Sequence, residues 1–315
     1  MICREGMEVL LVQAPAKINV RLKVIGKRSD GYHELVSIMI PVTLEDRLEL
    51  AVRPEEEGVV VRCTGLSLPE GDGNLVFRAA SSFLAETGVR KGVRVLLHKK
   101  IPIAAGLGGG SSDAAATLVG LNAMCPGRLS RGDMHRLAVG LGADVPFFLS
   151  AVPALARGIG EDLEPLANWP QLWYVLIKPP IGVSTAWAYG KLKKTLTTRE
   201  NDCTFQHLRQ DRSSVAELLE NDLERVTEER FPVIRRIKQA LLKAGAEGAL
   251  MTGSGPTVFG VFKERRPAES ARRQLISQDL GEVFVVTNWE DDGGRVRAGG
   301  EGAGFRARRP ERGDT

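Results

Sequence analysis

Apolar and polar residues alternate strictly from Lys17 to Val24. Ile18, Val20, Leu22 and Val24 fall on one face, and Lys17, Asn19, Arg21 and Lys23 on the other. A period of two belongs to a β-strand, and the pattern predicts one over residues 9–25. Asp30-Gly31 signals a turn, after which an apolar run (35–44) and short strands at 47–52 and 58–63 are expected. Asn74 suits the N-cap of a helix through Val76, Phe77, Ala80, Phe83 and Leu84 that stops at Gly88. A strand over 93–98 then leads into KKIPIAAGLGGGSSDAAATLVGLNAM, where glycines give way to serines and then to alanine and leucine at helical spacing. A helix is expected from Ser130 to Gly140 or Gly142, and a buried strand over 172–177 before Pro179-Pro180, a natural junction. Beyond it the pattern predicts helices over 215–229 and 233–243, and strands over 248–252 and 257–262 flanking Gly253-Ser254-Gly255. A helix over 269–278 and a strand over 283–287 complete the series. From Asp291 onward glycine and arginine dominate, which predicts a disordered tail over 291–315. No repeat of fixed period is present.

Composition narrows the function classes. The 315 residues suit two domains of moderate size, and 43% hydrophobic content allows a sizeable core. A net charge of +4, with both signs scattered, gives no argument for a nucleic-acid or membrane partner. Cys3, Cys63, Cys125 and Cys203 form no C-x-x-C pair, so reduced thiols are expected, and His33, His98, His135 and His207 form no metal-spaced cluster. Charges interrupt the opening MICREGMEVLLVQ before a signal-peptide core could form, and no run approaches the ~18 apolar residues of a membrane span. The expected location is cytoplasmic.

The glycine segment carries the clearest chemistry. Phosphate binding needs several backbone N–H groups converging where small residues let the chain approach, and a helix N-terminus adds donors and a favourable dipole. Gly106, Gly108, Gly109 and Gly110, followed by Ser111 and Ser112, supply both. A dinucleotide fingerprint fails because Ser111 stands where glycine is required; a Gly-Lys-Ser/Thr tripeptide, H-R-D and D-F-G are all missing. Lys17 could belong to a solvated strand face, which spacing alone favours. Asp144, between Leu141-Gly142-Ala143 and Val145-Pro146-Phe147-Phe148, suits a helix cap as well as a partly buried functional carboxylate. Should the two meet, Asp144 could accept a proton from an acceptor hydroxyl while Lys17 stabilises the developing charge. Gly253-Ser254-Gly255-Pro256-Thr257 reads by spacing as a hairpin turn.

PAKINVRLKVIGKRSDGYHEL, PIAAGLGGGSSDAA and GSGPTVFGVF together resemble the GHMP kinase superfamily. PAKIN, DGYHEL and LGADVPFF resemble in particular its family acting on 4-diphosphocytidyl-2-C-methyl-D-erythritol (CDP-methylerythritol). The likeness spans about residues 10–288. It implies an α+β, two-domain fold: a ribosomal S5-like N-terminal domain over 7–165 and a ferredoxin-like C-terminal domain over 166–290, with the active site between them. It also implies ATP and Mg2+, and a phosphoryl transfer to a small-molecule acceptor. Lys17 and Asp144 match the catalytic pair. Pro102, Ile103, Ala104, Ala105, Gly106, Leu107, Gly108, Gly109, Gly110, Ser111 and Ser112 match the ATP phosphate loop, with Asn74 and Lys99 near the adenosine. Asn19, Tyr32 and His33 match acceptor contacts, Tyr32 and His33 at the cytosine; Tyr189 is expected as a second aromatic there, with Trp187 competing. Gly253, Ser254 and Gly255 form a supporting turn, and Ser111 or Ser112 is available to a metal. Two departures stand out: Ala143 replaces a serine found in some superfamily members, and Pro256 removes one N–H from the late turn.

Two other functions compete. Another GHMP-type kinase would act on a sugar or homoserine, but DGYHEL has no use there. An S5-like RNA-binding module could use Arg306, Arg308, Arg309 and Arg312, although Glu301, Glu311 and Asp314 offset them.

Overall fold

The computed structural model of the chain describes residues 9–66, 68–125, 129–192 and 215–299. The alternating segment forms β1 (Val9–Lys27), which runs antiparallel to β2 (His33–Arg53). The runs expected as two strands are therefore one, bent by register shifts after Pro15, Asn19 and Val24 on β1. Next come β3 (Val59–Thr64), α1 (Leu75–Thr87) and β4 (Gly92–His98). Asn74 caps α1 through a bond from Val76 N, and Gly88 ends it at φ 64°. The helix α2 (Gly109–Met124) follows, then α3 (Arg131–Leu141), started by a Ser130–Asp133 capping box, and α4 (Val145–Ser150). Two short strands, β5 (Ala154–Arg157) and β6 (Asp162–Pro165), extend the sheet beside β2. Leu48, Leu50, Val95, Phe83, Leu118 and Phe148 belong to the core between this sheet and its helices.

A second sheet starts with β7 (Trp173–Lys178), followed by α5 (Thr185–Lys191). The helix expected over 215–229 is broken into a 3-10 turn (Val215–Leu218), β8 (Glu220–Asn221) and α6 (Asp222–Arg230). Asn221 causes the break: its Oδ1 caps Leu223 N, while its Nδ2 donates to Met251 O at 2.7 Å and Gly253 O at 2.8 Å. Then come α7 (Val233–Lys243), β9 (Gly248–Met251), β10 (Val258–Phe262), α8 (Arg265–Ile276) and β11 (Glu282–Thr287). The strands lie in the antiparallel order β11-β7-β10-β9. Ile234, Ile237, Leu241, Ala271 and Leu275 pack against one face with Val175 and Ile177. Tyr174, Leu176 and Phe259 on the other face meet Ile18, Ile38 and Ile40 from β1 and β2. All of β10 is buried, as expected of a strand covered on both faces. This shared core fixes the second sheet against the first hairpin.

The C-terminal segment differs from the expected disordered tail. Residues 291–299 are ordered and end in β12 (Val296–Gly299), antiparallel to the start of β1, with Val12 opposite Val296 and Val9 opposite Gly299. Backbone pairing and the buried Arg295 hold this segment, neither of which needs an apolar sequence. The rest of the expected tail lies outside the described residues. The thiols also differ from expectation: Cys63 is free, but Cys125 is disulfide-bonded.

Candidate active site

One cavity of about 950 Å³ opens between the β1–β2 hairpin, the N-terminus of α2, the β9–β10 turn and α5. The polar face of β1 does not meet bulk solvent. Lys17 is 4% exposed, and Asn19 and Arg21 are buried beside it. The polar face divides at the register shift after Asn19: Lys17 and Asn19 line the cavity, whereas Arg21 and Lys23 pair with Glu220.

Residues 102–111 of the glycine segment lie on the cavity wall. Lys17 N donates to Leu107 O at 3.0 Å, joining the loop to β1. Gly108 has φ 71°, and a Cβ there would lie 2.8 Å from Phe148 Cζ and 3.1 Å from Lys17 Cγ. Gly106 has φ 76°, and a Cβ there would lie 2.5 Å from Thr252 O at the second glycine turn. That turn is thus a buttress: Gly253, Ser254 and Gly255 line the cavity, and Asn221 anchors Gly253 from behind. The first N–H groups of α2 have no partner within the helix and open toward the cavity. Ser111 lies on the wall, whereas Ser112 is fully buried, its N–H bonded to Gly108 O and its Oγ without a partner. Of the two serines, only Ser111 faces the cavity.

Asp144 starts α4, and its Oδ2 lies 3.4 Å from Lys17 Nζ. Asn19 Oδ1 accepts from Lys17 Nζ at 2.5 Å, its Nδ2 donates to Ser37 Oγ at 2.8 Å, and its N–H donates to Thr252 Oγ1 at 2.8 Å. Both amide atoms of Asn19 therefore act within the protein. The Asn74 side chain is similarly occupied, capping α1 and donating to Pro69 O at 2.9 Å. Lys99 is paired with two buried carboxylates, Asp46 and, at 2.8 Å, Asp113. Asp46 also accepts from the N–H groups of Lys100 and Ile101, where the glycine segment begins.

At another part of the wall, His33 stacks on Tyr189, with ring centroids 5.1 Å apart and planes at 29°. Burial, aided by the Lys27 charge, pulls the His33 imidazole below its usual range and favours the neutral ring. Tyr32, 58% exposed, stands at the rim. Trp187 instead packs edge-on against Phe231, with centroids 6.0 Å apart. Thr185 and Ser254 hydroxyls meet at 3.0 Å on the wall.

Residues 74–151 match the family model of the GHMP kinase N-terminal domain, and residues 205–280 that of the GHMP kinase C-terminal domain. A 4-diphosphocytidyl-2-C-methyl-D-erythritol kinase of Syntrophotalea carbinolica is 48% identical, covering 87% of this chain and 96% of its own. The chain belongs to the GHMP kinase family. A Citrifermentans bemidjiense kinase of the same name is 46% identical over 85% of this chain and 95% of its own. A crystal structure of a 4-(cytidine 5'-diphospho)-2C-methyl-D-erythritol kinase, 36% identical, has a TM-score of 0.75 and covers 89% of this chain and 100% of that one. Homoserine kinase from Cytophaga hutchinsonii, 22% identical with a TM-score of 0.71, shares the fold. GHMP kinases draw their phosphoryl group from ATP. No helix among the described residues is long and apolar enough to cross a membrane.

Several side chains of this GHMP kinase site escaped the sequence reading. Asp113 carried a signal, as an acidic residue near the start of an otherwise alanine-rich helix. Asp46, Ser37 and Thr252 carried none, because their partners are remote in sequence. Among the described residues no three His, Cys, Asp or Glu side chains group around a metal position. Magnesium at a nucleotide site takes most of its shell from phosphate oxygens and water, with one or two protein ligands that are usually carboxylates. Ser111 offers one hydroxyl beside the N-terminus of α2.

Proposed function

We propose that this kinase transfers the γ-phosphoryl group of ATP to the 2-hydroxyl of CDP-methylerythritol, giving the 2-phosphate and ADP in the non-mevalonate route to isoprenoid precursors. The observation that carries the reading is the convergence of the Lys17–Asp144 pair and the α2 N-terminus in one cavity that also holds the His33–Tyr189 stack. The relatives' shared name supplies the acceptor.

In this reading the triphosphate lies along residues 102–111, its charge met by the free N–H groups and dipole of α2. Lys99 and Asn74 bound the adenosine end. The Ser111 hydroxyl would help hold magnesium, which would supply charge neutralisation. Asp144 accepts the proton of the acceptor hydroxyl as the oxygen attacks phosphorus, and Lys17 stabilises the developing negative charge. Asn19, tied to Ser37 and Thr252, holds the ammonium of Lys17 and borders the acceptor. Tyr32 and Tyr189 flank the cytosine. A neutral His33 offers one ring donor and one acceptor to the base edge. We take residues 7–165 and 166–290 as the two domains, and residues of both ranges line the cavity.

Release of ADP with CDP-methylerythritol, but not with homoserine or galactose, is the expected result; activity on a simple acceptor alone would overturn the reading. Asp144→Asn is expected to bind ATP normally and to lose turnover by about two to four orders of magnitude. Near-wild-type turnover would remove Asp144 from the base role.

A further inference from the structure

The helix that begins at Asp144 ends against the ordered C-terminal strap. The last carbonyls of a helix lack partners within it. Here Arg295 takes up two of them: Nη2 donates to Phe148 O at 2.6 Å and Nη1 to Leu149 O at 3.0 Å. Its Nε donates to Gln13 O at 3.4 Å, and Gln13 N donates back to Arg295 O at 3.0 Å. Gln13 lies on β1, four residues before Lys17. A single buried guanidinium therefore ties the strand bearing Lys17 to the helix bearing Asp144, at the ends of both elements remote from the reacting groups.

The arrangement suits arginine. Burial pulls the guanidinium down to about 10, partly offset by the charge of Asp291, so it remains cationic at neutral pH and complements the negative end of α4. Its fork serves two carbonyls at once, which the point charge of lysine cannot reproduce. Trp289 covers it, with its ring centroid 5.7 Å from the guanidinium carbon. Asp291 Oδ1 accepts from Arg295 N at 3.1 Å and fixes the turn that presents it. Phe148, whose carbonyl Arg295 holds, packs its ring beside Gly108 in the phosphate loop.

We propose that Arg295 is a positioning residue for phosphoryl transfer, holding α4 against β1 and so setting the separation of Asp144 from Lys17. The proposal rests on the reading of Asp144 as the base. It is tested by Arg295→Ala, Asp144→Asn and the double variant of the full chain, measuring ADP release at saturating ATP and CDP-methylerythritol, with ATP affinity by calorimetry. Arg295→Ala is expected to lower kcat by about 10- to 100-fold, the scale of a small misplacement of reacting groups, with ATP affinity nearly unchanged. In the Asp144→Asn background it is expected to cost less than about twofold, because its effect passes through the missing carboxylate. If Arg295→Ala yields no folded protein, Arg295→Lys enters the same cycle, with a smaller loss and the same non-additivity expected. Unchanged kcat, or equal losses in both backgrounds, would overturn the proposal alone. Near-wild-type turnover of Asp144→Asn would overturn the base reading and this proposal with it.

Discussion

Tyr189 and Trp187 stand two positions apart on α5, yet their rings contact different elements. Helical geometry turns positions two apart to different sides. Tyr189 reaches the cavity wall and stacks on His33, while Trp187 turns toward Phe231 of the region joining α6 to α7. The sequence left the two aromatics in competition because the placement of α5 against β2 is tertiary information. A stacking role for Tyr189 predicts that Tyr189→Ala raises KM for CDP-methylerythritol by about tenfold, as expected for losing roughly 1–3 kcal/mol of base stacking. KM for ATP should stay near wild type, and Tyr189→Phe should restore most of the affinity by keeping the ring. Trp187→Ala should lower the melting temperature with a smaller effect on KM. Steady-state kinetics and thermal melts on all three variants separate these outcomes, and a larger acceptor KM effect at Trp187 would reverse the assignment.

At the scale of elements, the phosphate loop was legible because its signals are local: glycines, then serines, then a helical pattern. Its precision depends on remote neighbours. Gly108 combines φ 71° with contact distances that leave no room for a methyl group against Phe148 and Lys17. Gly108→Ala is therefore expected to cost at least about 1–2 kcal/mol for the left-handed backbone alone and to weaken ATP binding by displacing the loop. Gly110 lies within α2, where a Cβ would make an ordinary 3.5 Å contact with Leu75 Cδ1. Gly110→Ala should consequently keep or slightly raise stability, by less than the ~1 kcal/mol of a helix-interior position. Calorimetric ATP titrations and melts on both variants check the contrast; equal losses would show that space at Gly108 is not limiting. Elements that depend on distant partners were less legible. The break after Leu218 follows from Asn221 reaching Met251 O and Gly253 O, some thirty residues away. β12 follows from the exposed edge of β1 and from carbonyls of α4, not from its own composition.

Across the whole molecule, the core shared by β1, β2 and the second sheet seats the β9–β10 turn against the glycine loop, and a buried charge cluster anchors that loop from the other side. The cluster contains one cation, Lys99, and two carboxylates, Asp46 and Asp113. Burial resists the charge on Lys99, but Asp113 and Asp46 outweigh it and raise its affinity for its proton. Asp46 has three partners: the Lys99 ammonium at Oδ2, and the N–H groups of Lys100 and Ile101 at Oδ1. Asp113 has less support, because its Oδ1 has no hydrogen-bond partner. Burial pushes the Asp113 carboxyl up to about 8, with Lys99 pulling it down and Asp46 adding to the rise. A carboxyl that holds its proton more tightly in the fold than in the unfolded chain stabilises the fold fully below the unfolded value near 3.8. That contribution declines as pH rises and is lost by about 8. Stability of the wild-type chain should therefore fall as pH rises from about 5 toward 8, with an added slope of up to one proton. Asp113→Asn, which keeps an oxygen for Lys99 but cannot ionise, should remove that added slope. Urea denaturation of both chains at several pH values measures it directly. Identical slopes would show that Asp113 is ionised in the fold throughout this range, with its charge fully balanced beneath the phosphate loop.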